Sequence, residues 1–525
     1  MSSAGSSGAE VQRLVVAATA LLAGMGAVVV VTYLLVFSTG NDRAARAVPA
    51  DSAVYVNVFL QPSSAQQASL ASLLGKLPGF ADTSLLDAKI DQLAERMLSP
   101  SGIDYRADLR PWLGNELAVA LSVQGQTTTP QMLLLVAVKD PVAARAALPQ
   151  LWQGSGITFT AHPYRGIDLM VGDTASYALL PDLLVIGQSE ARVRSALDAD
   201  ANAAPSLADS ADFSAAMQQV PADHLASAYV DLRAMLPTGT AIQASGYSTA
   251  AVALVAEANG LHAVGEARFD ASQASAAARD AFARASAASD LSAWMPADTR
   301  VETTFFGLAQ SFTALTDQLK ADPSLSESAG ALQQLRTLAA LGLGINVERD
   351  LLPLLDGEAA VAMGGSAGHL QLELLLKPSD PDAAAVSIGR MQAALVSHGA
   401  TVTAQSGVTP VTVIDVPQVG SLAYAIVDGV VLVGPDAASI GAAVEAHRSG
   451  ASLAAADGYR AAFDLAGTRG ATELWLDVGG LMDMAGQMVG LDPDARDILN
   501  QIGAFAMSAA PHGDHLEFHA VLTVK

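Results

Sequence analysis

The sequence predicts an α+β protein: a single N-terminal transmembrane helix, then a tandem duplication of a mixed unit with a large antiparallel sheet and packed helices. Three observations carry this expectation. An uncharged apolar stretch lies near the N-terminus, one twenty-residue segment recurs, and short alternating strands pair across tight turns.

The apolar stretch runs from Leu14 to Phe37, LVVAATALLAGMGAVVVVTYLLVF. Its 24 residues would extend about 36 Å as a helix, enough to cross a hydrocarbon core of about 30 Å. Tyr33 sits near its distal end, where an amphipathic ring suits the interface. The apolar region of a cleaved signal peptide is shorter, about 7–15 residues, so a retained signal-anchor is expected. The competing feature is Ala45-Arg46-Ala47, which has the A-x-A form of a cleavage site. Flanking charges are nearly balanced, with Arg13 and Glu10 before the span and Asp42, Arg43 and Arg46 after it. The layout of one N-terminal span before a long body gives the expected topology: residues 1–13 a short cytoplasmic tail, 14–37 the span, 38–46 a juxtamembrane linker, and residues 47–525 outside the cytoplasm.

The duplication is the strongest internal signal. Residues 102–121, GIDYRADLRPWLGNELAVAL, align without a gap to residues 344–363, GINVERDLLPLLDGEAAVAM, with ten of twenty positions identical. The flanks keep the order. Pro49-Ala50-Asp51 answers to Pro296-Ala297-Asp298, Asp140-Pro141 to Asp380-Pro381, Tyr177-Ala178 to Tyr424-Ala425, Gly187 to Gly434, and Tyr229-Val230-Asp231-Leu232 to Trp475-Leu476-Asp477-Val478. The expected division is a first repeat at 47–270, an Ala-rich connecting helix at 271–293, and a second repeat at 294–525. Alanine's helix propensity favours a helix over a flexible linker there.

Within each repeat the elements follow from local pattern. In AVYVNVFL, Val54, Val56, Val58 and Leu60 share one face of a strand. The runs 116–123 with 131–138, 359–363 with 369–376, and 176–180 with 183–187 read as hairpins, hence antiparallel. Asp-Pro at 140–141, 380–381 and 492–493 places an N-cap before a proline at the first helical position.

Composition narrows the function. The 525 residues carry 28 Lys plus Arg against 52 Asp plus Glu, a net charge of −24, which argues against binding nucleic acid. Hydrophobic residues make up 51% and charged ones 15%, enough to build a core. The absence of cysteine excludes disulfides, thiolate metal sites and a cysteine nucleophile.

The Pro-x-Asp strand opening, Gly102-Ile103-Asp104 leading into Pro111-Trp112-Leu113-Gly114-x-Glu116, and the N-terminal span before a duplicated body resemble the bacterial DUF 3352 family, a domain of unknown function. The resemblance covers roughly residues 47–525 and implies an envelope protein; it brings no catalytic residues. The second copy departs from it at Leu354 and Asp356, where the first has Trp112 and Gly114.

Candidate sites each meet a plainer explanation. Gly364-Gly365-Ser366-Ala367-Gly368 fits G-x-S-x-G, but lies between two strand-like runs and not at a strand-to-helix turn. On a C-terminal strand, His515, Glu517 and His519 would share one face, near His512 and Asp514, and two imidazoles with a carboxylate suit zinc. Three such residues span about 13 Å, too far to meet one ion, so a solvent-facing row is expected, with Leu516, Phe518, Ala520 and Leu522 toward the core. Asp108 and Glu116 recur as Asp350 and Glu358, a recurrence that points to a role in the fold. Asp492, Asp494 and Asp497 open a helix and complement its dipole. Gly342-x-Gly344 lacks the third glycine of a phosphate loop. The expectation is therefore a non-catalytic binding or scaffold protein of the cell envelope, with no catalytic, cofactor or metal residues. Its partners are the membrane through Leu14–Phe37 and an envelope protein or apolar ligand. An envelope hydrolase with an unrecognised site and a carrier of an apolar ligand are the alternatives.

Overall fold

The computed structural model describes residues 42–61, 63–76, 91, 95, 103–123, 130–153, 157–235, 245–284, 289–321, 326–366, 369–407, 409–417, 420–467, 470, 472–485 and 499–525. The stretch Leu14–Phe37 lies outside them, as does Asp492–Asp497. Among the described residues no helix is long and apolar enough to cross a membrane. The chain divides into two compact units, one running to Ala274 and the other taking nearly all of the chain from Ser275 onward.

The first unit has ten strands: β1 (Val54–Phe59), β2 (Leu113–Ser122), β3 (Gln131–Val138), β4 (Thr160–Tyr164), β5 (Ile167–Val171), β6 (Ser176–Leu179), β7 (Leu183–Gly187), β8 (Ala226–Asp231), β9 (Tyr247–Glu257) and β10 (Gly260–Phe269). Every neighbouring pair is antiparallel, in the spatial order β10-β9-β8-β1-β2-β3-β7-β6-β5-β4. The second unit has β11 (Val301–Phe306), β12 (Glu358–Ser366), β13 (His369–Lys377), β14 (Thr401–Gln405), β15 (Val411–Val416), β16 (Gly420–Val427), β17 (Val430–Gly434), β18 (Thr472–Asp477), β19 (Ile502–His512) and β20 (His515–Val524). They pair in the order β20-β19-β18-β11-β12-β13-β17-β16-β15-β14. Strand for strand, this is the order of the first unit.

Each sheet is packed on both faces. In the first unit, one face carries Tyr55, Ala118, Ala120, Leu133 and Leu135 against Val193, Ala196 and Leu197 of the helix Glu190–Asp200. The other carries Val136 and Val138 against Ala144 and Leu148 of the helix Pro141–Leu151, with Trp112 beside them. The second unit repeats this with Ala360, Ala362 and Leu375 against Ile440, Ala443 and Val444, and Leu376 and Val431 against Ala384 and Ile388. Alanines on the strands let the covering helices come close, so a chain poor in aromatic residues still excludes water.

Local chemistry sets the helix starts. Asp140 and Asp380 accept backbone N–H bonds as N-caps, each followed by proline at the first helical position. The hairpins β2–β3, β12–β13 and β6–β7 have the expected partners.

The strand β1 alternates as expected and is buried on both faces, Tyr55 and Asn57 most completely. Two expectations change. Among its described residues the Ala-rich stretch is an α-helix over Ala276–Arg284, and Leu291–Ala293 is a 3-10 turn whose Leu291 belongs to the second unit's core. The end of the expected linker is likewise part of the fold: Ala44–Arg46 is a 3-10 turn with Ala44, Ala45 and Ala47 buried in the first unit's core.

Candidate functional site

The turn Ala44–Arg46 leaves N–H groups without partners inside its own short helix. Glu116, at the start of the straight part of β2, supplies the acceptors. It is 2% exposed; its Oε2 accepts from the Arg43 N–H at 3.2 Å, and its Oε1 accepts from the Ala44 N–H at 3.1 Å and the Asn57 Nδ2 at 3.0 Å. Asp42 accepts from the Ala45 N–H at 2.9 Å and the buried Tyr55 hydroxyl at 2.5 Å. Burial, then the negative charge of Asp42, pushes the Glu116 carboxyl up to about 7, against the pull of the Ala44 N–H. Burial and the same two acids push the Tyr55 phenol well above its ordinary value.

Beside this clamp lies a cleft of about 530 Å³, with Arg43, Gln61, Gly114, Asn115, Lys139 and Asp182 among its lining residues. Arg43 is tied to both Asp182, at 2.8 Å, and Asp200, at 2.7 Å. Lys139 is exposed, its backbone held by a bond from its N–H to the Trp112 carbonyl at 2.9 Å. Gly114 makes the cleft wall: a Cβ there would stand 2.7 Å from the Ala137 carbonyl carbon. The groups that face a ligand there are the Gln61 and Asn115 amides and the Lys139 ammonium, because the Arg43 guanidinium and the Asp182 carboxylate are paired with each other. Glu116 is engaged by three donors, so it orders the start of the unit.

The second unit repeats the clamp with other side chains. Glu358 accepts from the Asp290 N–H at 3.2 Å, the Leu291 N–H at 3.4 Å and the Ser289 hydroxyl, and burial raises its carboxyl above the usual range. Asp356 stands where the first unit has Gly114, and its carboxylate accepts the Ser379 N–H at 3.0 Å and the Ser379 hydroxyl. Ser379, so held, is the counterpart of Lys139, and Lys377, the counterpart of Ala137, is paired with Asp290. Where the first unit offers the Lys139 ammonium and the Asn115 amide, the second has Ser379, held by Asp356, and Gly357.

The remaining sequence candidates resolve as follows. Asp104 and Asn346 are the N-caps of short π-helical turns, Tyr105–Leu109 and Val347–Leu351. Asp108 and Asp350 return the bond, each accepting its cap residue's N–H at 2.9 Å. Asp350 is buried and pinned by Arg349 and Arg390, which hold its carboxyl well below the usual range. Trp112 is buried and its indole N–H donates to the Asp108 carbonyl at 2.5 Å. Gly364 to Ser366 end β12, with Ser366 opposite His369, so this is a hairpin and not a nucleophile elbow; Ala367 and Gly368 lie outside the described residues.

The expected solvent-facing row on β20 is not kept. His519 is 6% exposed and Val521, on the same face, is fully buried, whereas His515 and Glu517, like Leu516, Phe518, Ala520 and Leu522, are half-buried. Both faces are covered in part, and hydropathy alone could not rank them. Among the described residues no three His, Asp or Glu side chains are placed to hold a metal ion. A second, shallow cleft of about 580 Å³, lined by Thr401, Asp415 and Ser421 among others, has Asp415 as its titratable group.

Sequence reasoning did not single out Asp42, Arg43, Asp182 or Asp200. They meet across separations of 139 residues and more and carry no motif.

No curated protein matches the chain. Three crystal forms of TP0453 are similar over part of it. Form III has 10% identity and a TM-score of 0.25, covering 46% of this chain and 85% of that one. Form IV has 10% identity and a TM-score of 0.24, covering 43% and 80%. Form I has 9% identity and a TM-score of 0.24, covering 44% and 80%. The profile of DUF3352, protein of unknown function, matches residues 14–522, and the chain belongs to that family.

Proposed function

We propose that this protein is tethered to the membrane through Leu14–Phe37, exposes its two units outside the cytoplasm, and binds a ligand without transforming it. We assign the binding to the cleft of the first unit, for a small polar molecule carrying an acceptor group. The observation that carries this reading is the division of labour there: Glu116 is consumed by three structural bonds, while the Lys139 ammonium, Gln61 and Asn115 face the cleft beside it. Ser379, held by Asp356, and Gly357 at the equivalent place in the second unit explain why the function would belong to one unit only.

Two measurements test it. A reporter active only outside the cytoplasm, fused at Lys525, is expected to give membrane-retained signal; signal from an inside-only reporter overturns the topology. The purified full chain, screened with a library of small carboxylates and phosphates, is expected to bind one class and to lose it in Lys139→Ala. Equal binding by the variant overturns the cleft assignment, and turnover of the bound compound overturns the non-catalytic reading.

A further inference from the structure

The two units share a strand order but differ in charge at one equivalent place, beneath the N-terminus of the helix that follows β7 or β17. In the first unit that place is filled by the chain itself. Arg192, the third residue of the helix Glu190–Asp200, is 4% exposed. Its guanidinium donates to Asp51 Oδ1 at 2.9 Å, to Ser52 Oγ at 2.9 Å and to the Ser122 hydroxyl. Below it, a row of residues crosses the sheet: Tyr229, Tyr55, Ala120, Leu133 and Gly187, each paired with the next.

The second unit keeps the acid and exchanges the rest. Asp298 and Thr299 stand for Asp51 and Ser52, and Gly364 for Ser122. The third residue of the helix Ala437–Ser449 is Ser439, where Arg192 stood. The row now reads Trp475, Glu302, Ala362 and Glu373. Asp436, the helix N-cap, replaces Ser189. Four exchanges, Arg to Ser, Tyr to Glu, Leu to Glu and Ser to Asp, all move the place toward negative charge.

Glu373 is the observation that asks for an occupant. It is 5% exposed, and among the described residues neither of its carboxylate oxygens has a hydrogen-bond partner. A carboxylate buried this way is costly unless a cation or a donor meets it. Its charge is felt together with those of Asp298 and Asp436, and burial with these two acids pushes its carboxyl up to about 7. Asp298, whose charge reaches Glu373, is itself exposed to solvent.

We infer that the second unit binds an external organic cation, a guanidinium or alkylammonium group, between Glu373 and Asp298, in the seat that Arg192 fills from within in the first unit. A guanidinium brings several N–H donors in one plane, which is the arrangement Arg192 uses against one carboxylate and two hydroxyls.

Calorimetric titration of the full chain at pH 8 with methylguanidinium and n-butylammonium tests the inference, with tetramethylammonium as a cation that has no N–H donor and calcium and zinc chlorides as metal probes. Binding of methylguanidinium or butylammonium, absent for tetramethylammonium, is the expected result. Glu373→Gln, which keeps the shape, is expected to weaken it about thirtyfold. Glu373→Leu, which installs the first unit's residue, is expected to abolish it. Unchanged affinity in both folded variants overturns the assignment. Failure of both organic cations to bind the parent chain, or binding of the metals alone, overturns the inference as well. Lys139→Ala is expected to leave this binding intact, which separates it from the cleft of the first unit.

Discussion

Glu116 shows how much of a unit's start can rest on one side chain. Its two oxygens satisfy two backbone N–H groups and the Asn57 amide, all without solvent access to speak of. Glu116→Ala is therefore expected to destabilise the first unit by on the order of 3 kcal/mol, because buried donors lose their acceptor. Glu116→Gln keeps one carbonyl oxygen and is expected to cost about 1 kcal/mol. Urea denaturation of the full chain followed by fluorescence measures both, and an alanine variant as stable as the parent would contradict the clamp. Glu358 performs the same task with Ser289 as its side-chain partner, so the recurrence of the pair seen in the sequence is structural in origin. Gly114 makes a complementary case. A methyl group would meet the backbone of Ala137 at 2.7 Å, and Gly114→Ala is expected to cost about 1–3 kcal/mol and to narrow the cleft, read as weaker ligand binding and a lower melting temperature.

At the scale of elements, short polar signals decide where helices start. Asp140 accepts from the N–H groups of Val142 and Ala143 at 2.9 Å each, ahead of Pro141. Asp140→Ala is expected to cost about 1 kcal/mol, and Asp140→Asn much less, since asparagine also caps. A loss of protection in hydrogen exchange confined to the first turn of Pro141–Leu151 would localise the effect. The π-helical turns before β2 and β12 are bound reciprocally, cap to fourth residue and back, which explains why Asp108 and Asp350 recur although neither is itself the N-cap. The turn Ala44–Arg46 has a consequence for processing. Ala45 is 2% exposed and Ala47 is fully buried, so the A-x-A sequence is closed to a protease once the first unit has folded. N-terminal sequencing of the folded chain treated with signal peptidase is expected to show no cut after Ala47.

Stability of the molecule as a whole should depend on pH from two directions. Glu116 and Glu373 both have carboxyls raised to about 7 by burial, so the folded state holds their protons more tightly than the unfolded chain does. Their contribution is fully present below about pH 4.5 and is lost as pH rises through about 7. Asp350 runs the other way. Its carboxyl is depressed by Arg349 and Arg390, so its contribution is present above the ordinary aspartate range and lost as pH falls below it. The full chain is therefore expected to melt at a lower temperature at pH 8 than at pH 5, with a further decline in strong acid. Glu373→Gln is expected to flatten the fall between pH 5 and 8, measured by calorimetry across that range; an unaltered slope would show that Glu373 does not titrate there.

The sequence by itself determined the α+β class, the hairpins, the helix caps and the register between the two copies. These depend on residues close along the chain, where alternation, turn length and Asp-Pro spacing act directly. A gapless match of ten residues in twenty then assigned each position its counterpart, which is how Glu116 and Glu358 could be read as one structural device. Tertiary structure alone decided which strand faces are covered, as His519 and Val521 show, because an alternating strand offers two faces and only packing chooses between them. It also decided the sites. Arg43 reaches Asp182 over 139 residues and Arg192 reaches Asp51 over 141, and nothing local marks either pair. The exchange of Arg192 for Ser439 and of Leu133 for Glu373 lies on two strands or helices far apart in sequence. Each looks like an ordinary substitution until the fold brings the helix position over the row of the sheet that holds the strand position, where the two changes of charge fall together.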